Sequence, residues 1–430
     1  MGSRFFDHLF KPLLIFGVVI CIFFSCFAKE SMAMGNIHIE SLKIMPSIVV
    51  AREYTDNYFP RDFTIVVDQN GNEKLVKLKK SASVIKLQPS LQLYLPFSQN
   101  DFMLSYRMQS LRFQNQDLQK FDSDSHYITS KLNWHFFPNL TTEITDNLSY
   151  AESIPDHINT IMYNWYGNRV SVLTSYELGR RYKSELEVTR SYTRYKQDQW
   201  KPDNDDDLTI RSSVLYQIMP KTFVGVEYTH ERYNRKDVPG EDSDYNSQNY
   251  WFVISFDDPE GRLNGKLRGG TTKIKYDDKT LNTGNNFFGF MGDLTFKKSK
   301  YTTITFTGMR AQANTSLHTE DAFYGSSFKN TTLTLGLTHK FSYKISGTLS
   351  FSYNELQFNS QGASGTIGGI IQQLNLNRQD TAKTWSGGLD YQMRDWLGFK
   401  VLYSYVDHKS NFPNEAFKKN QFITEISLRF

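Results

Sequence analysis

The chain has 430 residues, 22% of them charged, and a formal net charge of +4, too small to recommend a nucleic acid as partner. Beyond residue 33 no apolar run reaches about 18 residues, mean hydropathy is negative and 15% of residues are aromatic, which excludes a bundle of membrane-spanning helices. A soluble all-β chain of this length would carry continuous apolar core strands, whereas nearly every segment here has one polar face.

At the start, Arg4 and Lys11 precede an apolar stretch, Pro12 to Phe27, too short and too abruptly followed by polar sequence to span a membrane stably. It reads as a secretory signal within residues 1–33, cleaved after Ala28 or after Ala33, leaving residues 34–430 as one barrel domain. A lipoprotein signal would need small residues ahead of Cys26, where Phe23 and Phe24 stand. Both cysteines leave with the signal, so neither a disulfide nor thiol chemistry is expected of the mature chain.

From there the chain alternates apolar and polar residues with period two. Eighteen strands are predicted, centred near Ser47, Leu91, Arg107, Leu132, Ile144, Val172, Leu186, Val214, Val226, Phe252, Leu267, Phe290, Thr305, Leu335, Leu349, Leu389, Val401 and Ile426. The fold class is therefore all-β, a transmembrane antiparallel β-barrel of the bacterial outer membrane with about 18 strands. The segment from Ser342 to Asn354 is the clearest: Tyr343, Ile345, Leu349, Phe351 and Tyr353 on one side, Lys344, Ser346, Thr348, Ser350 and Ser352 on the other. Trp134, Tyr150, Tyr176, Tyr192, Tyr216, Trp385 and Tyr403 would supply the interfacial girdles.

Short links, such as Phe97 to Asp101, Phe137 to Leu140 and Met219 to Thr222, alternate with long polar stretches, such as Tyr58 to Lys80, Asn234 to Ser247 and Asn359 to Asp380. Tight periplasmic turns and long outer loops have this order, and an even strand count places both termini in the periplasm. Pro46 and Pro89 fall inside the first two strands, where a missing N–H predicts a bulge or weakened pairing. The last strand alternates Phe422, Thr424, Ile426, Leu428 and Phe430 against Gln421, Glu425, Ser427 and Arg429, and its terminal Phe430 would be the signal for the barrel-assembly machinery.

The run Pro46-Ser47-Ile48-Val49-Val50-Ala51-Arg52-Glu53-Tyr54-Thr55-Asp56-Asn57, followed by the second Pro-Ser strand at Pro89-Ser90, resembles the opening of the second β-barrel porin family. Its members are outer-membrane barrels often associated with exopolysaccharide clusters. The resemblance implies a passive conduit for a secreted polysaccharide, with polysaccharide cargo and periplasmic export components as partners. A small-solute porin and a barrel enzyme or adhesin are the alternatives.

On the face opposite the apolar residues, Lys86, Arg107, Lys131, Glu143, Glu185, Glu187, Arg211, Glu227, Glu425 and Arg429 should line a lumen. Mixed signs wet a channel without announcing ion selectivity, and the same residues could instead pair across neighbouring strands and only hold the barrel. No catalytic motif is present: His38, His126, His135, His157, His230, His318, His339 and His408 lack metal-ligand spacing, with His339 and His408 the first to examine. The run Asp203 to Asp207 begins like a calcium loop but has Leu208 where glycine and Val214 where glutamate is required, so a solvated loop is expected. Gly269-Gly270 lies in a predicted strand and the Gly362 to Gly369 stretch in a long loop that could constrict the lumen or cover its mouth. No cofactor, metal or enzymatic activity is expected, and the remaining partners are outer-membrane lipid and lipopolysaccharide.

Overall fold

Period-two alternation sends successive side chains to opposite faces of a strand, so one face can be wetted while the other meets an apolar medium. A computed structural model describes residues 37–39, 41–58, 63–67, 73–77, 80–153, 163–179, 181–197, 204–235, 244–258, 261–277, 286–314, 327–358, 364–367, 370–373, 378–411 and 416–430. The signal segment lies outside these residues. Eighteen long strands carry the fold: β1 Leu42–Thr55, β2 Ala82–Phe97, β3 Asn100–Phe113, β4 Ser123–Phe137, β5 Leu140–Ser153, β6 Tyr163–Leu178, β7 Tyr182–Tyr195, β8 Asp205–Met219, β9 Thr222–Arg235, β10 Tyr245–Asp257, β11 Leu263–Tyr276, β12 Asn286–Lys297, β13 Thr302–Asn314, β14 Ser327–Lys340, β15 Ile345–Phe358, β16 Gln379–Arg394, β17 Leu397–Ser410 and β18 Phe417–Arg429. Each pairs antiparallel with the next. β1 then closes on β18, from Ser47 opposite Arg429 to Thr55 opposite Gln421, so no long edge is left unpaired. All the predicted strand centres fall inside these elements.

Directly opposed residues share a face, and one parity can be followed through every register around the barrel. Val50, Leu87, Ile144, Val226, Phe252, Leu349, Leu389 and Ile426 share one parity and are exposed. Glu53, Thr55, Ser125, Thr189, Ser213, Glu227 and Thr272 share the other and are buried. An apolar outside around a polar inside reverses a soluble protein and is the pattern of a barrel in lipid. The expected girdle aromatics all take the outward parity. Trp385 and Tyr403 stand mid-strand instead, and the Tyr403 hydroxyl donates to Asn420 Oδ1 at 2.7 Å.

Short turns gather at one rim, where Ser98 and Lys221 take positive φ, 55° and 60°, to reverse the chain tightly. Beside one of them Lys221 donates to Asp258 Oδ1 at 2.6 Å, and this hydrogen bond holds the Asp258 carboxyl below its ordinary pKa. The Phe430 N–H donates to Pro46 O at this rim. The opposite rim carries the longer connections, among them the 3-10 helix Gln116–Phe121. Leu118 and Phe121 of that helix pack with Ala82, Val84 and Phe113 on the inner face, where two further apolar clusters, Leu215 with Trp251 and Val253 and Tyr245 with Ile274 and Tyr276, interrupt the polar wall.

Three local expectations are corrected and one is narrowed. The strand expected over Ser342 to Asn354 runs from Ile345 to Phe358, because the Ser342 Oγ accepts the N–H groups of Lys344 and Ile345 at 3.2 and 3.0 Å and makes those residues a turn. Of the two outcomes expected at Pro89, the weakened pairing occurs and the bulge does not: β2 and β3 keep one register on either side of it, and Gln88 Nε2 donates to Gln109 Oε1 at 3.1 Å across the gap in the ladder. Part of the long stretch from Tyr58 to Lys80 is a hairpin, Phe63–Val67 with Glu73–Lys77. The acidic run is not a loop beyond Asn204: Asp205 to Asp207 open β8, and Asp206 Oδ1 accepts from Arg194 Nη2 at 2.9 Å, while Asp203 lies outside the described residues.

Candidate functional site: the charged wall of the lumen

The ten residues expected to line the lumen all take the inward parity. They fall into two kinds of surroundings. Lys86 forms an ion pair with Glu53, a carboxylate only 3% exposed whose Oε1 also accepts from Gln421 Nε2 at 2.5 Å. Lys131 meets Glu143 at 2.8 Å, both about a third exposed. Arg107 is exposed and lies over the Tyr127 ring, 4.8 Å from its centroid. Glu425 stands opposite Lys400 and Ala51, and Arg429 is exposed at the short-turn rim.

The remaining four converge. On β7, β8 and β9 the inward parity brings Glu185 and Glu187, then Arg211, then Glu227 onto one patch. Arg211 Nε donates to Glu187 Oε2 at 2.8 Å and Arg211 Nη1 to Glu227 Oε2 at 3.3 Å. Glu227 is the centre: Lys266 Nζ reaches it at 2.9 Å and Arg268 Nε at 3.0 Å, and its side chain is only 3% exposed. Lys183 extends the network to Glu185 at 3.2 Å and to Asp257 at 3.6 Å. Each charge buried in this network has an opposite one beside it.

Lys183, Lys266 and Arg268 were missed in the sequence reading. Their signal was present, since Lys266 and Arg268 alternate with outward Leu267 on β11. Two glycines make room beside them: inward Gly270 and Gly289 are opposed across β11 and β12, and a Cβ on Gly289 would lie 3.0 Å from the Trp251 indole. Together these groups border a cavity of about 560 Å³ along the wall, lined by Arg169, Glu187, Arg211, Glu227, Trp251 and Arg268 among others. The cavity thus sets an apolar ring face beside fixed charges.

The opposite arc is different. From β13 to β17 the inward residues include Thr305, Thr334, Ser350, Ser352, Asn354 and Ser386, with Thr334 Oγ1 and Ser352 Oγ 2.9 Å apart and Ser350 Oγ and Ser386 Oγ 2.6 Å apart. Asn354 Nδ2 donates to Thr332 Oγ1 at 2.8 Å. A hydroxyl-rich stretch thus lies across from the charged patch, with inward Asp390 and Lys400 opposed at its short-turn end.

Among the described residues, neither histidine singled out is seen in a nucleophile–base pair of the usual order. Ser410 Oγ donates to Asp380 Oδ1 at 2.5 Å, so its proton is directed to the carboxylate, while His408 Nε2 is 4.0 Å from Asp380 Oδ2. His339 is outward, bonded to the Thr302 hydroxyl at 2.8 Å and edge-on to Phe341. Among the described residues no group of three or more His, Cys, Asp or Glu could hold a metal ion. In the glycine-rich connection, Ser364–Ile367 pairs with Ile370–Gln373 as a hairpin, and Gly362, Gly368 and Gly369 lie outside the described residues.

Residues 254–430 match the model of the family described as "Putative beta-barrel porin 2". This is the family that the stretch from Pro46 to Asn57 resembles, although the two segments lie in opposite halves of the chain. No curated protein sequence matches the chain. Among solved structures it is similar to the siderophore receptor PirA from Pseudomonas aeruginosa, with 10% identity, 90% of this chain and 80% of that one covered, and a TM-score of 0.44. The outer membrane protein OpdK from Pseudomonas aeruginosa shows 12% identity, coverage of 90% and 99%, and a TM-score of 0.46. PirA from Acinetobacter baumannii shows 9% identity, coverage of 89% and 80%, and a TM-score of 0.43. With its apolar exterior, polar lumen and family match, the chain is a porin-like barrel of the outer membrane.

Proposed function

We propose that this barrel is the passive outer-membrane conduit through which a polysaccharide leaves the cell. The observation that carries the reading is the hydroxyl and amide surface of β13 to β17, which can exchange hydrogen bonds with a hydrated sugar chain without holding any one residue tightly. The charged side, neutralised within itself, wets the passage and leaves Arg107 as an exposed cation beside an aromatic ring. Movement is by diffusion or by threading from the periplasm, with no covalent step.

Deleting the gene should abolish surface polymer while its cytoplasmic precursors remain. Arg107→Glu should alter export of a charged polymer and leave barrel abundance unchanged, because Arg107 holds no buried partner. The second reading is a small-solute porin, favoured by the paired charges of β7 to β11, which set a field across the lumen. Surface polymer that persists after deletion while uptake of a small solute falls would replace the export reading with this one.

The short-turn rim faces the periplasm in this proposal, and with it both termini. On intact cells a cysteine at Asp205 or Gly365 should react with an impermeant thiol reagent, and one at Asn139 or Lys221 should not. Gly240, another loop position suited to the test, lies outside the described residues. Labelling of Asn139→Cys or Lys221→Cys from outside would reverse the orientation.

A further inference from the structure

Few charges stand on the outward parity at mid-strand depth among the described residues, Arg310 of β13 being one of them, and two lie close together on β5 and β7. Asp146 stands midway along β5 on the parity of Ile144 and Leu148, opposite Ser130 of β4 and Val170 of β6. At comparable depth on the other side of the barrel the outward residues are Leu333 and Phe351. The Asp146 carboxylate accepts a hydrogen bond from Asn168 Nδ2 at 2.5 Å and has no cation in ion-pairing distance among the described residues. In the same hydrogen-bonded row, beyond Val170, stands Arg190 of β7, outward, exposed and likewise without a carboxylate partner among the described residues.

An ionisable side chain facing lipid within the band is costly, and one of each sign on adjacent outward positions calls for a partner that answers both. A lipid headgroup could answer Arg190 from the rim but would repel Asp146. Intramolecular pairing is not made: the β6 strand separates the two, leaving their backbones about 10 Å apart, two strand spacings.

We propose that the outer face of β5 to β7 docks a second copy of this chain. The two-fold axis runs along the membrane normal through Val170, so that Asp146 of each protomer meets Arg190 of the other. A two-fold contact brings the same patch to itself with the positions flanking the axis exchanged, and Asp146 and Arg190 flank Val170 with opposite charge. Arg190 begins somewhat nearer the long-loop rim, a difference its long stem can span. Val172, Leu186 and Val188, all exposed and outward, supply apolar contact around the charged pairs. The lumen of each protomer is untouched by this arrangement, so the inference stands apart from the proposed cargo.

Val170→Cys in the full-length protein, oxidised in native outer membranes, should give a covalent dimer of this chain, whereas Leu349→Cys on the opposite wall should remain monomeric. Adding Asp146→Arg to Val170→Cys should remove most of the dimer, and adding Arg190→Asp to that variant should restore it. Heat-modifiable electrophoretic mobility checks that each variant has folded. A folded Val170→Cys barrel that stays monomeric, or that joins a chain of different mass, overturns the proposal. Dimer that persists undiminished in Asp146→Arg overturns the charge exchange on which it rests.

Discussion

Glu227→Ala is expected to destabilise the folded barrel by about 3–5 kcal/mol, the cost of breaking a buried ion network from one side. The carboxylate is 3% exposed and faces Arg211, Lys266 and Arg268 within 3.3 Å. Removing it leaves three neighbouring cations with Glu187 and Glu185 as their nearest remaining compensation, and Glu185 is 3.9 Å from Lys266. Glu143→Ala provides the contrast. Its pair with Lys131 is open to water on both sides, so a loss of about 0–1 kcal/mol is expected. Urea unfolding in lipid vesicles, followed by tryptophan fluorescence, measures both. Equal losses would show that burial at Glu227 confers no special role.

Leu349→Arg should cost about 2–4 kcal/mol, because a charge facing the middle of the bilayer loses its hydration and gains no partner. Leu349 lies on the outward parity of β15, opposite Leu337 and Gly387, and no carboxylate is opposed to it. Leu428→Arg, at the short-turn end of β18 opposite Leu397 and Ile48, should cost about 0–1 kcal/mol because that end lies near an interface. Removal of Phe430 should act on assembly rather than on stability and lower the amount of folded protein reaching the membrane, with Arg429→Lys mild. The same unfolding measurement separates the arginine variants, and immunoblots of outer membranes follow the truncation. Similar values for Leu349→Arg and Leu428→Arg would show that the depth assigned to these positions is wrong.

The periodicity of two made the strands, their number and their facing legible, since a one-residue error would turn a whole apolar set into the lumen. Leu349 and Glu227 could each be assigned a face from their neighbours alone. Strand ends were harder. Ser342 and Tyr343 continue the alternation of β15, yet the hydroxyl of Ser342 captures two backbone N–H groups and turns the chain there. At Pro89 the missing donor announces a bulge or a weakened pairing and the weakened pairing is what occurs, whereas the side-chain bond between Gln88 and Gln109 that bridges the gap depends on register.

What the sequence determined by itself is the barrel and the identity of its wetted residues, because alternation is a local property that each strand carries independently. Which of those residues meet was decided by closure and register alone. Glu227 could be placed on the inner face from β9, but the convergence of Arg211, Lys266 and Arg268 on it requires three further strands to be set beside one another at fixed offsets. Asp146 and Arg190 are forty-four positions apart in the chain, and only the pairings of β6 with β5 and β7 place them in one row on the outside. Ionic attraction falls off over a few ångströms, so the charges that act together are chosen by the register of the sheet and not by their spacing along the chain.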